Sequence, residues 1–503
     1  MSQHPHNPAP GSPALTGPGM PRAPLAPGLD TSRIVTGLWQ MADQERGGAG
    51  PDLDAAAEAL AGYARDGFTG WDMADHYGSA EIVAGRARAL LAAEGGPAPM
   101  IATKWCPEPG PMTPQTVRAA VDHALHRLQT DHIPLLQLHW WRYEHPGYLD
   151  AGAELMRLRA AGLIGALGVT NVDAAHLRVL VKNSVALRTN QVSFSLIDRR
   201  ADGPLAEACA ALGVRLLAYG TLCGGFLSER WLGAPPPAPQ DWSKMKYLRF
   251  IEAAGGWAAF QAVLRAADTV ARRHAVSIAN VATRWVLDRP HVAAVIVGAR
   301  LTERDHRADN LRALGFAYDD TDRATLDTAL AGLAPIPGDC GDEYRRPPFL
   351  TASGDLSHHL DEVPKIYAGS AVPDRPGRAR VDTGTEWEAA AGFSRAIRTG
   401  SRILVSGTTA TDDHGQVVCP GDPAGQTTFI LDKIAASLEA LGGSLADTVR
   451  TRIYMRETER WEEVARAHGA ALGAVRPANT LIRAAAVGPY EVEIEAEAEL
   501  DAP

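Results

Sequence analysis

The sequence predicts an α/β chain, a (β/α)8 barrel followed by a smaller α+β domain, and three observations carry that expectation. From Arg33 onward, short apolar runs alternate with amphipathic stretches eight times over. Past Leu333 the alternation stops, and Pro, Gly, Asp and Arg dominate without periodicity. A shorter β/α alternation then resumes near Glu386 and runs on to the end. A chain of 503 residues exceeds one ordinary core. A barrel of about 300 residues with a domain of about 130 accounts for it.

The strand candidates of the first part are 34–39, 69–72, 100–103, 134–138, 166–169, 189–192, 215–218 and 294–297. Helical stretches fall at 54–64, 114–128, 149–161, 204–212 and 258–288. Strict alternation forces parallel strands, and closure into a barrel is the commonest way to pair all eight. The rival, a doubly wound open sheet, calls for a GxGxxG turn after its first strand, where this chain has Gly37-Leu38-Trp39-Gln40. The boundaries read as a disordered Pro/Gly-rich tail over 1–30, the barrel over 31–335, an irregular loop or linker over 336–380 and the second domain over 381–503. In that domain strands are expected at 403–406, 449–455 and 491–500, and helices at 428–441 and 459–471.

A net charge of −10 without a basic stripe argues against a nucleic-acid partner. The five cysteines are scattered and lack metal-ligand spacing, so no metal is expected and a reducing, cytoplasmic setting is. No apolar run approaches the roughly 20 residues that cross a bilayer.

In a parallel barrel the C-terminal strand ends share one mouth. Asp72 ends the second strand, with Tyr77 following; Lys104 ends the third and His139 the fourth. A phenol, an ammonium, a carboxylate and an imidazole at one mouth form a proton-donating device. The ammonium is expected to lower the phenol's pKa, the carboxylate to hold the ammonium, and the imidazole to orient a carbonyl oxygen. Trp39, Trp105, Trp140 and Trp141 are expected to line a pocket for a flat or apolar carbonyl compound. The segment 339–360, rich in charged and aromatic side chains (Glu343, Tyr344, Arg345, Arg346, His358, His359), suggests a loop that covers substrate.

With these segments in this order, residues 33–333 resemble the aldo-keto reductases. The resemblance implies Asp72, Tyr77, Lys104 and His139 as catalytic tetrad, Tyr77 being general acid. Thr170 and Asn171 in Gly168-Val169-Thr170-Asn171, with Gln191, match the clasp on the nicotinamide carboxamide. Tyr219 matches the residue that stacks on the nicotinamide, and Gly220, Thr221 and Leu222 continue that segment. Gly298, Ala299 and Arg300, followed by Asn310, are similar to the adenine and phosphate segment, although Val297 stands where the family usually has Pro. Arg300 and Arg304 suit a ribose 2′-phosphate, so NADPH is the expected cofactor, with NADH the alternative.

Residues 387–500 resemble the Rid family of enamine/imine deaminases, a small chorismate mutase-like α+β fold. Gly392-Phe393-Ser394-Arg395-Ala396, Val405-Ser406-Gly407-Thr408, Arg476-Pro477-Ala478-Asn479-Thr480 and Glu493-Ile494-Glu495-Ala496 carry the likeness. The resemblance implies a homotrimer with clefts between subunits and Glu495 as the cleft glutamate. Deaminating members have Arg where this chain has Asn479, and an amide cannot replace that charge on a carboxylate. The alternation of Glu491, Glu493, Glu495, Glu497 and Glu499 also reads as a solvated strand face. The sequence thus predicts a reductase of a carbonyl or imine, fused to a domain that oligomerises the chain or handles a reactive imine. A nucleotide-binding sensor or scaffold with little turnover, and a bifunctional reductase/imine hydrolase, are the alternatives.

Overall fold

The computed structural model describes residues 19–41, 52–108, 110–238, 242–345, 365–485 and 487–501. Part of the tail expected to be disordered is ordered: β1 (Arg22–Ala26) pairs antiparallel with β2 (Leu29–Ser32). Alternation inside this Pro-rich stretch buries Ala23 and Leu25 against Met100, Leu135 and Leu217, near the starts of barrel strands. The hairpin therefore closes the end opposite the mouth. Gly28, at φ +76°, supplies the left-handed turn.

Eight parallel strands follow: β3 (Ile34–Gly37), β4 (Gly70–Asp72), β5 (Met100–Trp105), β6 (Ile133–Leu138), β7 (Ile164–Thr170), β8 (Leu187–Ser193), β9 (Arg215–Tyr219) and β10 (Val292–Gly298). They close in chain order, with β10 returning to β3 through Val295–Ile34 and Gly298–Gly37. The strands are buried almost throughout, as two-sided coverage requires. The single helix expected over 258–288 is two, Gly256–His274 and Ile278–Leu287. Ala275 ends the first in the left-handed region without a glycine, and Ser277 with Asn280 forms a capping box on the second. A helix the sequence reading did not foresee, Trp242–Ala253, lies over the mouth side.

The segment 336–380 is more structured than a linker. It carries a helical turn, Asp342–Arg345, and the first strands of the second sheet, β11 (Gly369–Ala371) and β12 (Arg378–Val381). Arg346, His358 and His359 lie outside the described residues. The sheet continues with β13 (Ala396–Thr399), β14 (Arg402–Thr409), β15 (Thr448–Met455), β16 (Ala478–Arg483) and β17 (Val492–Glu499), in the order β11-β12-β13-β14-β17-β15-β16. Among the described residues of this sheet, β15 and β16 pair in parallel and the other neighbours antiparallel.

Helix Pro423–Ala440 buries Ile430, Ile434 and Leu438 against this sheet, and it also packs on barrel helix Ala174–Lys182. Polar contacts pin the junction. Arg178 pairs with both oxygens of Asp422 at 2.5 and 2.8 Å, Cys419 N donates to Asn183 Oδ1 at 3.1 Å, and Arg142 pairs with Glu439. At its centre the His176 ring lies between two carboxylates, Asp173 at 2.8 Å from Nδ1 and Asp432 at 3.0 Å from Nε2. Tyr143 stacks on that ring at 3.3 Å.

Candidate active site

The strand ends meet at one mouth, around a cavity of about 530 Å³. β4 contributes Asp72, the loop after it Tyr77, β5 Lys104 and the residue after β6 His139. Lys104 Nζ donates to Asp72 Oδ2 at 2.7 Å and to Met73 O at 2.9 Å, with the ammonium 4.9 Å from the centre of the Tyr77 ring. Gln191 Nε2, from β8, donates to Asp72 Oδ1 at 2.6 Å, and Gln137 Nε2 reaches the same oxygen at 3.4 Å. The carboxylate is thus held on both oxygens, which fixes the ammonium beside the phenol. Gln191 was expected as a cofactor clasp; its amide nitrogen here braces the tetrad.

Electrostatics depart from the expectation that the ammonium lowers the Tyr77 pKa. Burial, followed by the charge of Asp72, pushes the phenol well above its ordinary range. Burial likewise pulls the Lys104 ammonium down, with Asp72 opposing. His139 is driven well below its ordinary value by burial, with His76, Arg345, Lys104 and Lys246 adding to the effect, so it is a neutral imidazole at pH 7.

Trp39 packs edge-on against Tyr77 and borders the cavity. The other three tryptophans do not line it. Trp105, Trp140 and Trp141 are buried in the core, the last two stacked at 5.4 Å between ring centres. Trp140 turns inward because its Nε1 donates to His145 O at 3.1 Å, inside its own loop. Of the expected cofactor residues, Thr170, Asn171, Gln191, Tyr219, Gly220, Thr221, Leu222, Gly298, Arg300 and Asn310 border the cavity, as does Arg304. Ala299 is buried beside them, its N–H given to Gly37 O at 3.0 Å. Asn171 takes a left-handed backbone at φ +57° and accepts the Tyr219 hydroxyl at 2.9 Å. Lys246 and Tyr247, on helix Trp242–Ala253, were missed; a helix far along the chain carries no motif that points to a barrel mouth.

A nicotinamide nucleotide fits this groove on observations of the structure itself. Thr170 Oγ1 is buried without a hydrogen-bond partner among the described residues, a polar atom on a residue that lines a cavity with room for an amide. Gly220 has φ +68°, and a side chain there would collide with the Tyr247 hydroxyl, so bare backbone borders the groove. Cationic Arg300 and Arg304 stand among its lining residues.

In the second domain, the structure separates the two residues assigned to one cleft. Asn479 Nδ2 donates to Thr451 Oγ1 at 2.9 Å, and Thr451 also meets His468 at 2.9 Å, on the helix-covered face. Glu495 lies on the opposite face, accepting from Tyr454 at 2.5 Å and paired with Arg452 at 3.3 Å. Within one chain they share no cleft. Within the glutamate row on β17, Glu495 and Glu497 are matched across strands by Arg402, Arg450 and Arg452, so the middle of that face is charge-paired.

Residues 33–331 match the family model described as Aldo/keto reductase family, and residues 383–500 the model described as Endoribonuclease L-PSP. Protein tas of Escherichia coli is 32% identical over 225 residues, 40% of this chain and 62% of its own length. Aldo-keto reductase YhdN of Bacillus subtilis is 27% identical over 64% of this chain and 96% of its own. The flagellar radial spoke protein 5 of Chlamydomonas reinhardtii is 30% identical over 177 residues, 31% of this chain and 33% of its own length, so the chain spans a third of that relative. Among solved structures, the glycerol dehydrogenase of Gluconobacter oxydans is 25% identical with TM-score 0.50, over 63% of this chain and 97% of that one. The barrel, its mouth and the family match over more than half the sequence agree: the chain belongs to the aldo/keto reductase family, an oxidoreductase family, and carries a Rid/L-PSP domain behind the barrel.

Proposed function

We propose that the barrel is an NADPH-dependent reductase of a carbonyl compound, or of an imine, with Tyr77 as general acid. The observation that carries this reading is convergence: Tyr77, Asp72 and His139 border one groove with Asn171, Gln191 and Tyr219, and Lys104 is buried behind it on Asp72. In that groove Thr170 and Asn171 would hold the carboxamide, Tyr219 the ring face, and Arg300 with Arg304 the ribose phosphate. A reduced nicotinamide bound there supplies the hydride. Tyr77 gives its proton to the substrate oxygen as negative charge develops on it. Lys104, 4.9 Å from the phenol ring centre and anchored by Asp72, stabilises the tyrosinate left behind. His139, uncharged, orients the carbonyl without competing for the proton. The helical turn over Asp342–Arg345 closes one side of the pocket.

The second domain, on this reading, assembles the chain into a homotrimer in a cytoplasmic setting and accepts an imine or enol without a carboxylate. Asn479 lacks the charge that a carboxylate needs. The barrel covers helix Pro423–Ala440, whereas Leu404, Val449 and Ile482 stay exposed on the sheet and offer apolar surface for assembly.

NADPH consumption with a panel of aldehydes, ketones and cyclic imines tests the reading. Turnover of at least one class is expected, and none with any of them would overturn it. For the second domain, rapid ammonia release from 2-imino acids by the full chain would contradict the weight placed on Asn479. Analytical ultracentrifugation reads the trimer.

A further inference from the structure

The mouth holds a second phenol–ammonium pair beyond the tetrad. Tyr344, on the turn Asp342–Arg345, accepts a hydrogen bond from Lys246 Nζ at 2.6 Å, and the same ammonium lies 3.2 Å from Tyr219 Oη and 3.5 Å from Glu343 Oε1. Glu343 is fully buried and pairs with Arg200 at 3.0 Å, so the turn is fixed from below. Arg345 fixes it from the side, donating to Asn171 O at 2.6 Å and Trp140 O at 2.7 Å. Gly341, at φ +92°, brings the backbone against Asn171 O with no space for a side chain. Tyr344 itself borders the cavity that Tyr77 and His139 border, its ring edge-to-face with His139 at 5.8 Å.

Proton accounting gives the Tyr344 hydroxyl a direction. Lys246 donates to Tyr344 Oη, which uses an acceptor site and polarises the O–H bond. Tyr219 Oη has two acceptors that are not phenols, Asn171 Oδ1 at 2.9 Å and Glu343 Oε1 at 3.4 Å, and its proton goes to the nearer of them in preference to Tyr344. The Tyr344 O–H is left to donate, either to Tyr219 Oη at 3.2 Å or into the cavity. A donor held near the carbonyl-orienting histidine suits an acceptor oxygen on the substrate, and a hydroxyl that must donate suits it less.

We propose that Tyr344, supported by Lys246, is the substrate-anchoring residue of this barrel, donating to a second acceptor oxygen carried by a 1,2-dicarbonyl or 2-oxo acid compound. This inference deepens the reductase reading and rests on it for turnover, though not for binding. The two sources of the oxygen, a neutral ketone and a carboxylate, are separated by comparing 2,3-butanedione and 2-oxobutanoate with 2-butanone.

In the full-length chain with NADPH, the wild type is expected to prefer at least one two-acceptor compound over 2-butanone by tenfold or more in kcat/KM. Tyr344→Phe is expected to cut that preference about tenfold, chiefly through KM, as loss of one polarised hydrogen bond does. Lys246→Gln, which leaves the phenol in place, is expected to reduce it less. Calorimetric titration with oxamate, an unreactive two-acceptor probe, against acetamide reads the anchor without turnover, and Tyr344→Phe should remove the preference for oxamate. Equal preferences in wild type and Tyr344→Phe, in either readout, would overturn the anchor while leaving the reductase intact. A wild type that binds oxamate selectively through Tyr344 yet consumes no NADPH would overturn the reductase reading alone.

Discussion

Replacing His176 by alanine removes the imidazole that bridges Asp173 and Asp432 at the junction of the two domains. Both ring nitrogens face carboxylate oxygens, which only the doubly protonated imidazolium can satisfy. Burial opposes that charge, yet Asp173 and then Asp432 outweigh it and lift the histidine from its ordinary 6.5 to about 9. A displacement of that size corresponds to about 3 kcal/mol of folding and docking stability. One cation shared by two buried carboxylates neutralises only one of them. Asp173 is held down at about 2, whereas burial leaves Asp432 raised to about 6. Because the histidine's folded pKa is raised, its contribution is complete below pH 6.5, declines above it and is gone beyond about pH 9. His176→Ala leaves two facing buried carboxylates, a defect worth about 3–5 kcal/mol. Differential scanning calorimetry at pH 7 should show the domain junction failing first, with one endotherm in the wild type becoming two. The gap between wild type and variant should narrow as the pH is raised toward 9.5. An unchanged endotherm at pH 7, or a gap that widens with pH, would refute the reasoning.

Three further outcomes follow from the site. Gln191→Leu strips the 2.6 Å bond from Asp72 Oδ1 and should lower kcat by about tenfold or more, with NADPH affinity, read by fluorescence titration, changing less. Asp339 is raised to about 7 by burial and by Asp173, so its contribution is greatest at acidic pH and is lost as pH rises through 7. Hydrogen exchange over 339–345, corrected for intrinsic rate, should therefore quicken between about pH 4 and 7 and level off above, and Asp339→Asn should flatten that dependence. Arg300→Ala combined with Arg304→Ala should raise the KM for NADPH about tenfold or more and leave that for NADH nearly unchanged.

The barrel strands were legible because both faces of each are covered, which writes continuous apolar runs such as Val292–Val297 into the sequence. The meeting of Asp72, Lys104 and His139 was legible because barrel closure brings strand ends together, whereas Tyr77, on the loop after β4, was read from the resemblance its segment carries. Features set by loop conformation or distant pairing were not. Nothing local says that the Trp140 indole turns back to His145 O, so Trp140 and Trp141 read as pocket lining and are core. The left-handed break at Ala275 lacks the glycine that usually announces one. Proline masked the hairpin at Arg22–Ala26, whose alternation buries only Ala23 and Leu25. The pairings His176–Asp432 and Lys246–Tyr344 join residues 256 and 98 positions apart, and no periodicity encodes such a meeting. Burial, too, is a property of the assembled mouth; it reversed the direction expected for Tyr77.

Proton donation by one phenol is the claim on which the rest turns, and it is measured most directly by single-turnover reduction of the best carbonyl substrate by Tyr77→Phe with saturating NADPH. The reduction step should fall about 10²–10⁴-fold with NADPH still bound at wild-type affinity. A phenylalanine variant that reduces the carbonyl at the wild-type rate would contradict it.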